Sequence, residues 1–323
     1  MITEIRDLTI AKSPVILYDD LNNNVAYLME NAEYATGESV NFMTFAGKGL
    51  IYVCITKEKA KELHLSCMSG SVPDDNKKFT VSVDYKTSTT GISAFERAET
   101  IRAFTQYYVQ PNDFKRPGHI FPLISTGDVF KNPGVAEIAC ALQEIKSLSP
   151  VAYVCEILNE KGEIASKEEV EKQFNLPMIT FNEVVQFQYE KKEWLQVLHR
   201  QEIGDTKVYT VIDTLFEQEM KIYTRAGKIR SKKIVFYEEC QSGDVLGVNQ
   251  CHCRSHFKDY YKKLIDKEID GIVFKQKLQK RPTSPFLAYP VKSKLITRQV
   301  KALIEDLYQA QHIYFEELEM RLI

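Results

Sequence analysis

Three of the seven cysteines in this 323-residue chain fall within one short stretch, CQSGDVLGVNQCHC at 240–253. Zinc takes four tetrahedral ligands in a structural site, or three plus a water in a catalytic one. A Cys-x-Cys pair places the sulfurs of Cys251 and Cys253 close together on one turn. Cys240 reaches them across a loop in which Gly243 and Gly247 permit a tight return. Cys240, Cys251 and Cys253 therefore read as a zinc set with one position left, either open or filled by His252 or His256. With that position open the site is a hydrolytic centre, because zinc lowers the pKa of a bound water to about 7. Such a centre suits attack on an amidine-like or formamide carbon. Cys54, Cys140 and Cys155 lie in apolar runs and read as small buried hydrophobes, while Cys67 is left unassigned. A disulfide framework is not expected in a chain this long without a secretion signal.

These residues need elements to hold them. The segments SPVILYDD, GLIYVCIT, KFTVSVDY and VAYVCEIL are short, rich in β-branched and aromatic residues and bounded by turn formers, which predicts strands. SAFERAETIRAFTQYY and GVAEIACALQEIKSL repeat apolar positions at helical spacing. SKEEVEKQF carries a capping-box pattern, a serine followed three residues later by glutamate. Residues 188–207, QYEKKEWLQVLHRQEIGDTK, read as a charged helical connector. The domain boundary is placed near its end, giving domains 1–203 and 204–323. Beyond it KVYTVIDT, KKIVFYEE and GIVFKQ read as strands and HFKDYYKKLIDKE as a helix. A closing helix is expected from Ser293, with Leu295, Ile296, Val300, Leu303, Ile304 and Leu307 on one face. Interleaved strands and helices predict a mixed α+β, α/β class in two domains, the first an αβ sandwich.

The bulk numbers exclude little. The chain is 44% hydrophobic and 27% charged with a net charge of −2, and no stretch approaches the ~20 apolar residues of a membrane helix. The charged N-terminus lacks a signal-peptide core, so a cytoplasmic protein acting on a small molecule is expected, with no membrane partner. Residues 221–233 carry six basic residues and 271–301 carry eight, neither segment with an acid. These blocks read as solvated faces balanced by the acidic tail. A nucleic-acid partner is not expected, though an anionic ligand fits them.

The cysteine stretch resembles the zinc signature of GTP cyclohydrolase II, Cys-x10-Cys-x-Cys around a Gly-Asp pair. TTGISAFERAETIRAF (89–104), DFKRPGHIFPLI (113–124) and VCEILNEKG (154–162) closely resemble dihydroxybutanone phosphate synthase. The two families occur fused in this order in bifunctional riboflavin-biosynthesis proteins. The resemblance covers about residues 10–185 for the synthase and 205–275 for the cyclohydrolase. It implies a synthase-like first domain, a cyclohydrolase-like zinc domain and a homodimer. It also implies a remnant sugar-phosphate pocket at Thr89, Thr90, Arg116, His119 and Glu137, with Glu156 and Glu239 as catalytic candidates.

The sequence departs from both families where they do chemistry. In the synthase family an acidic loop, Asp-Arg-Glu-Asn-Glu-Gly-Asp, holds magnesium and moves protons on ribulose 5-phosphate. Here Asp19 and Asp20 are followed by Leu21, Asn22, Asn23, Asn24, Val25 and Ala26, and asparagine is neither an ionised magnesium ligand nor a general base. The family's Gly-His-Thr-Glu motif reads Gly134, Val135, Ala136, Glu137. Magnesium is not expected, nor the original synthase activity. In the second half Arg-Val-His-Ser-Glu becomes VFYEE, with only Glu239 in place. The triphosphate loop becomes KQKLQKRPTSP, and the domain reads as shortened by some seventy residues against the family pattern. Degenerate sites in both halves with a zinc cradle kept predict a repurposed zinc-dependent hydrolase- or lyase-type enzyme. The alternative is an inactive partner of riboflavin enzymes.

Overall fold

The computed structural model describes residues 13–68, 77–191, 193–215, 218–225, 233–239, 253–275, 299–300, 303 and 314–316. The chain divides into two compact units, Met1–Tyr189 and Glu190–Ile323. The fold is the mixed αβ class expected, with one sheet in each unit.

The first unit runs β1 (Val15–Tyr18), β2 (Ala26–Asn31), α1 (Gly37–Gly47), β3 (Lys48–Thr56), α2 (Lys57–Glu62), β4 (Val83–Tyr85) and α3 (Ala94–Ala103). It continues through β5 (Phe114–Ser125), α4 (Val135–Ile145), β6 (Ala152–Ile157), α5 (Lys167–Gln173), β7 (Met178–Thr180) and α6 (Phe181–Lys191). The sheet order is β4-β5-β3-β6-β2-β1-β7. The β3–β5 and β1–β7 pairs are parallel and the other neighbours antiparallel. All six residues of β2 are buried, as are five of the six in β6, the pattern of strands covered on both faces.

Strand alternation then sorts the core. Ile16, Leu28, Val53, Ile55 and Tyr153 share one cluster with Val40 and Met43 of α1 and Ala98 and Ile101 of α3. Tyr27, Tyr52 and Glu156 alternate with these and so face the opposite side. Tyr27 stacks on Phe181, the first residue of α6, with ring centroids 6.3 Å apart. The helix starts are capped as their sequences ask. Thr36 and Ser39 form a reciprocal capping box on α1, and Ser166 and Glu169 form the one read from SKEEVEKQF on α5.

The second unit holds β8 (Leu195–Ile203), β9 (Thr206–Asp213), β10 (Gln218–Arg225), β11 (Lys233–Glu238), α7 (Cys253–Ile265), β12 (Gly271–Lys275) and β13 (Tyr314–Glu316), in the order β13-β11-β12-β10-β9-β8. The helical connector expected over 188–207 is helical only through Lys191. Leu195–Ile203 is a strand, paired antiparallel with β9 by the register Ile203↔Thr206. The signal lay in Gly204-Asp205: Gly204 has φ +59, the left-handed backbone that closes a two-residue hairpin. The helix and strands read from HFKDYYKKLIDKE, KVYTVIDT, KKIVFYEE and GIVFKQ appear as α7, β9, β11 and β12. Most of the closing helix expected from Ser293 lies outside the described residues.

Candidate functional site

Aspartates 19 and 20, which the sequence retains after the first strand, are committed to holding the loop. Asp19 Oδ1 accepts from the backbone of Leu21 (3.2 Å) and Asn22 (2.9 Å) and from Asn22 Nδ2 (2.9 Å). The same Asn22 amide donates to Pro133 O at 3.1 Å, which ties this loop to the approach to α4. Asp20 Oδ1 accepts from Asn182 N at 3.0 Å, at the start of α6. Burial raises the Asp19 carboxyl above its ordinary value, against the lowering effect of those hydrogen bonds. These carboxylates act as turn and helix caps.

Val135 and Ala136 are the first two residues of α4, both buried and apolar. Glu137, next to them, is also buried and accepts from Thr126 N (2.7 Å) and Thr126 Oγ1 (2.8 Å). Burial pushes its carboxyl upward too. Glu156 is the direct cross-strand partner of Tyr27 and pairs with Lys77 Nζ at 2.6 Å. The same ammonium lies 5.9 Å from the ring centroids of both Tyr27 and Tyr52. Burial, with the neighbouring Glu156 carboxylate, raises the Tyr27 hydroxyl, and burial raises that of Tyr52, so both rings are neutral at ordinary pH.

Thr89 and Thr90 sit in the loop before α3, where the Glu96 carboxylate fills the space between them. It accepts from Thr89 Oγ1 (2.8 Å), Thr90 Oγ1 (3.4 Å), Gly91 N (3.1 Å) and Ser93 Oγ (3.0 Å). Amide and hydroxyl donors hold the exposed Glu96 carboxyl down at about 2. Against Gly91 stands a dyad of which the sequence reading named His119 but not its partner Asp84. Asp84 Oδ2 meets His119 Nδ1 at 2.9 Å, and Asp84 Oδ1 accepts the His119 backbone N–H at 2.8 Å. A Cβ on Gly91 would lie 2.0 Å from Asp84 Oδ2 and 2.6 Å from His119 Nδ1, and Gly91 has φ +80, so only glycine fits. Arg116 donates to the carbonyls of Pro111 (3.0 Å), Phe114 (3.2 Å) and Leu63 (2.9 Å) and braces three backbone segments. Of the residues read as one pocket, Thr89, Thr90 and His119 gather around Gly91 with Asp84 and Glu96, while Arg116 and Glu137 hold backbone and Thr126, and the catalytic candidate Glu156 stands apart with Lys77, Tyr27 and Tyr52. Lys77, Tyr27, Tyr52, Asp84, Gly91 and Glu96 were not singled out from sequence. Asp84 left no trace of its own, because it falls on a regular polar position of the alternation in KFTVSVDY.

A magnesium ion, which the synthase resemblance implies, does not fit these residues. It needs near-octahedral oxygen donors at about 2.0–2.1 Å, including one or two carboxylates. The loop offers asparagines, Asp19 is turned onto its own backbone, and Glu156 is matched by an ammonium.

In the second unit, the parallel strands β11 and β12 end side by side, with Glu239 N donating to Lys275 O at 2.8 Å. Burial lowers the Lys275 amine below its ordinary value. Cys240, Cys251 and His252 lie outside the described residues, Cys253 opens α7, and His256 is exposed on that helix. Lys277, Lys280 and Arg281 of the basic loop also lie outside them. Cys54, Cys140 and Cys155 are buried as expected, and Cys67 is exposed. No described helix is long and apolar enough to cross a membrane.

Comparison with known proteins places this geometry. Residues 4–187 match the family model for 3,4-dihydroxy-2-butanone 4-phosphate synthase. Riboflavin biosynthesis protein RibBA of Bacillus mycoides is 36% identical over 262 residues, covering 77% of this chain and 66% of the relative, just under two thirds of its length. The 3,4-dihydroxy-2-butanone 4-phosphate synthase of Oceanobacillus iheyensis is 43% identical over 185 residues, 55% of this chain and 88% of the relative. Among solved structures, RibBX, described as a two-domain synthase from A. baumannii, covers 99% of this chain and 93% of its own with a TM-score of 0.66, at 22% identity, a likeness of fold. A synthase in complex with two magnesium ions is 31% identical, with a TM-score of 0.52, over 59% of this chain and 95% of its own.

Proposed function

The chain belongs to the 3,4-dihydroxy-2-butanone 4-phosphate synthase family, and from that premise we propose that it is a repurposed riboflavin-biosynthesis homologue. In this reading its first unit does not run the magnesium-dependent synthase reaction. Its second unit, cyclohydrolase-like in sequence, carries a different zinc-dependent hydrolase- or lyase-type reaction. One observation carries the first half: Glu156 is ion-paired with Lys77 at 2.6 Å beside a loop whose positions 21–26 hold no carboxylate. Proton abstraction from a sugar phosphate needs a positioned base within hydrogen-bond reach and a stabiliser for the enediolate that follows. Asn22, Asn23, Asn24 and Val135 supply no base, and the Asn22 amide is already spent on Asp19 and Pro133 O. The names of the relatives argue for ordinary synthase chemistry, and the residues at the reacting positions argue against it.

The second half rests on residue chemistry. Cys240, Cys251 and Cys253 are a donor set for zinc, which when bound supplies a Lewis acid and an activated water. Glu239, immediately before Cys240, is the proton-transfer candidate of that unit, and the basic residues around Lys275 favour an anionic substrate.

The test is direct. Purified full-length protein is incubated with ribulose 5-phosphate and magnesium, and formate and the four-carbon phosphate are measured. No product above background is expected, together with about one zinc per chain by elemental analysis, lost in Cys251→Ala. Turnover at a rate typical of enzymes, about 1 per second or faster, would restore the ordinary synthase function.

A further inference from the structure

Among the described residues, those around Lys77 form a cation site with the cation already in place. Residues 77–80 are laid along β5 by backbone bonds, Ile124 N to Lys78 O at 3.0 Å and Thr80 N to Pro122 O at 2.9 Å. Phe79, two residues on and therefore on the same side of this extended segment, meets Tyr52 edge-on at 5.3 Å. That anchoring aims Lys77 across the sheet face. Its ammonium arrives between a carboxylate at 2.6 Å and two aromatic rings at 5.9 Å each. A carboxylate supplies charge and hydrogen-bond acceptors, and ring faces within about 6 Å attract a cation through their quadrupoles. This donor set suits an ammonium. It is poor for a divalent metal, which takes hard oxygen ligands and gains little from ring faces.

We propose that the pocket of the first unit is built around a resident ammonium, with Glu156, Tyr27 and Tyr52 as its binding site and Lys77 as the occupant supplied by the chain itself. Lys77 thereby sets the charge of the pocket without a metal. Its side chain is 35% exposed, so an incoming ligand can reach the ammonium. That ligand is an anion which accepts hydrogen bonds from a single fixed charge and does not rely on metal chelation. The inference deepens the reading that this pocket is not a magnesium site and rests on it.

Lys77→Ala removes three methylenes and the ammonium, the equivalent of one n-propylammonium ion. Full-length wild type, Lys77→Ala and Lys77→Ala/Glu156→Gln are titrated with n-propylammonium chloride. Thermal melting and tyrosine fluorescence are read, with sodium chloride and n-propanol as controls and magnesium chloride as a separate arm. Lys77→Arg, which keeps the charge, checks that the position tolerates substitution. The expected result is a saturable rise in melting temperature for Lys77→Ala with n-propylammonium. Its half-saturation should lie at least about tenfold below that of wild type, where Lys77 competes, and the response should vanish in the double variant. A Lys77→Ala protein that answers n-propylammonium no better than sodium overturns the ammonium site, whatever magnesium does. Magnesium binding to wild type at millimolar concentration, accompanied by synthase turnover, overturns instead the reading on which the site rests.

Discussion

The dyad of Asp84 and His119 sets a sharp expectation for Asp84→Asn. Both carboxylate oxygens of Asp84 are used, one by the His119 backbone N–H at 2.8 Å and one by Nδ1 at 2.9 Å, and the residue is 6% exposed. A carboxylate only accepts, so the Nδ1 that faces it carries a proton. Asparagine keeps one acceptor, which serves the backbone amide, and turns an NH2 group toward the imidazole. Two donors then face each other unless the ring moves its proton to Nε2. The loss is one hydrogen bond to a charged group, about 1.5–3 kcal/mol, partly offset because the new amide donates to Nδ1 after the tautomer changes. A net destabilisation of about 1–2 kcal/mol is expected, against about 2–3 kcal/mol for Asp84→Ala, where the His119 backbone N–H and its partly exposed ring both lose their acceptor. Urea unfolding supplies the energies, and nitrogen-15 NMR of the imidazole supplies the tautomer. An Asp84→Asn protein within about 0.5 kcal/mol of its parent and still protonated at Nδ1 would show that Asp84 does not orient the ring.

Two further changes probe the first unit. Tyr153 donates to the buried Glu30 carboxyl, which burial pushes upward and this hydrogen bond pulls down. Tyr153→Phe should therefore cost about 2 kcal/mol near pH 7.5 and less near pH 5. Asp19, Glu30 and Glu137 are all raised by burial. The folded state thus holds their protons more tightly, and the associated stability is fully present below their ordinary values and lost as pH rises through the raised ones. Urea midpoints between pH 4.5 and 8 should show this slope at the acidic end, and a midpoint that climbs with pH throughout the range contradicts it. Gly118→Ala would place a Cβ 2.1 Å from Val83 C and 2.3 Å from Asp84 N, backbone atoms that cannot yield locally. A loss of about 3 kcal/mol is expected, and full retention of the melting temperature would refute the close approach.

Much of the fold was legible because its signals are local and repeated. Strand runs such as SPVILYDD and VAYVCEIL carry the continuous apolar character of strands buried on both faces, and β1 and β6 appear where those runs stand. The capping box at Ser166 and Glu169 needs only four residues to specify itself. The failure at 195–203 has an equally local cause. The edge strand β8 is largely exposed, so its face carries charged residues that mimic a solvated helix, and only Gly204 at the turn betrays the hairpin.

The site was harder to read because a motif records which residue types persist and not what they bind. Thr89, Thr90 and Arg116 match the family pattern, yet here they meet Glu96 and three backbone carbonyls. The group that pairs with Glu156 is Lys77, 79 residues away in sequence and brought to it through the β3–β5 and β3–β6 pairings. Substitutions at one end of such a contact leave no trace at the other in a single sequence. The loop at 21–26 carries no carboxylate, and Lys77 sets an ammonium 2.6 Å from Glu156. Both features act the same way on the electrostatics of this sheet face: the first withholds negative charge and the second supplies a positive one. An ammonium so close would compete with a metal ion for the Glu156 carboxylate. That competition is what the titration of Lys77→Ala with n-propylammonium and with magnesium reads out.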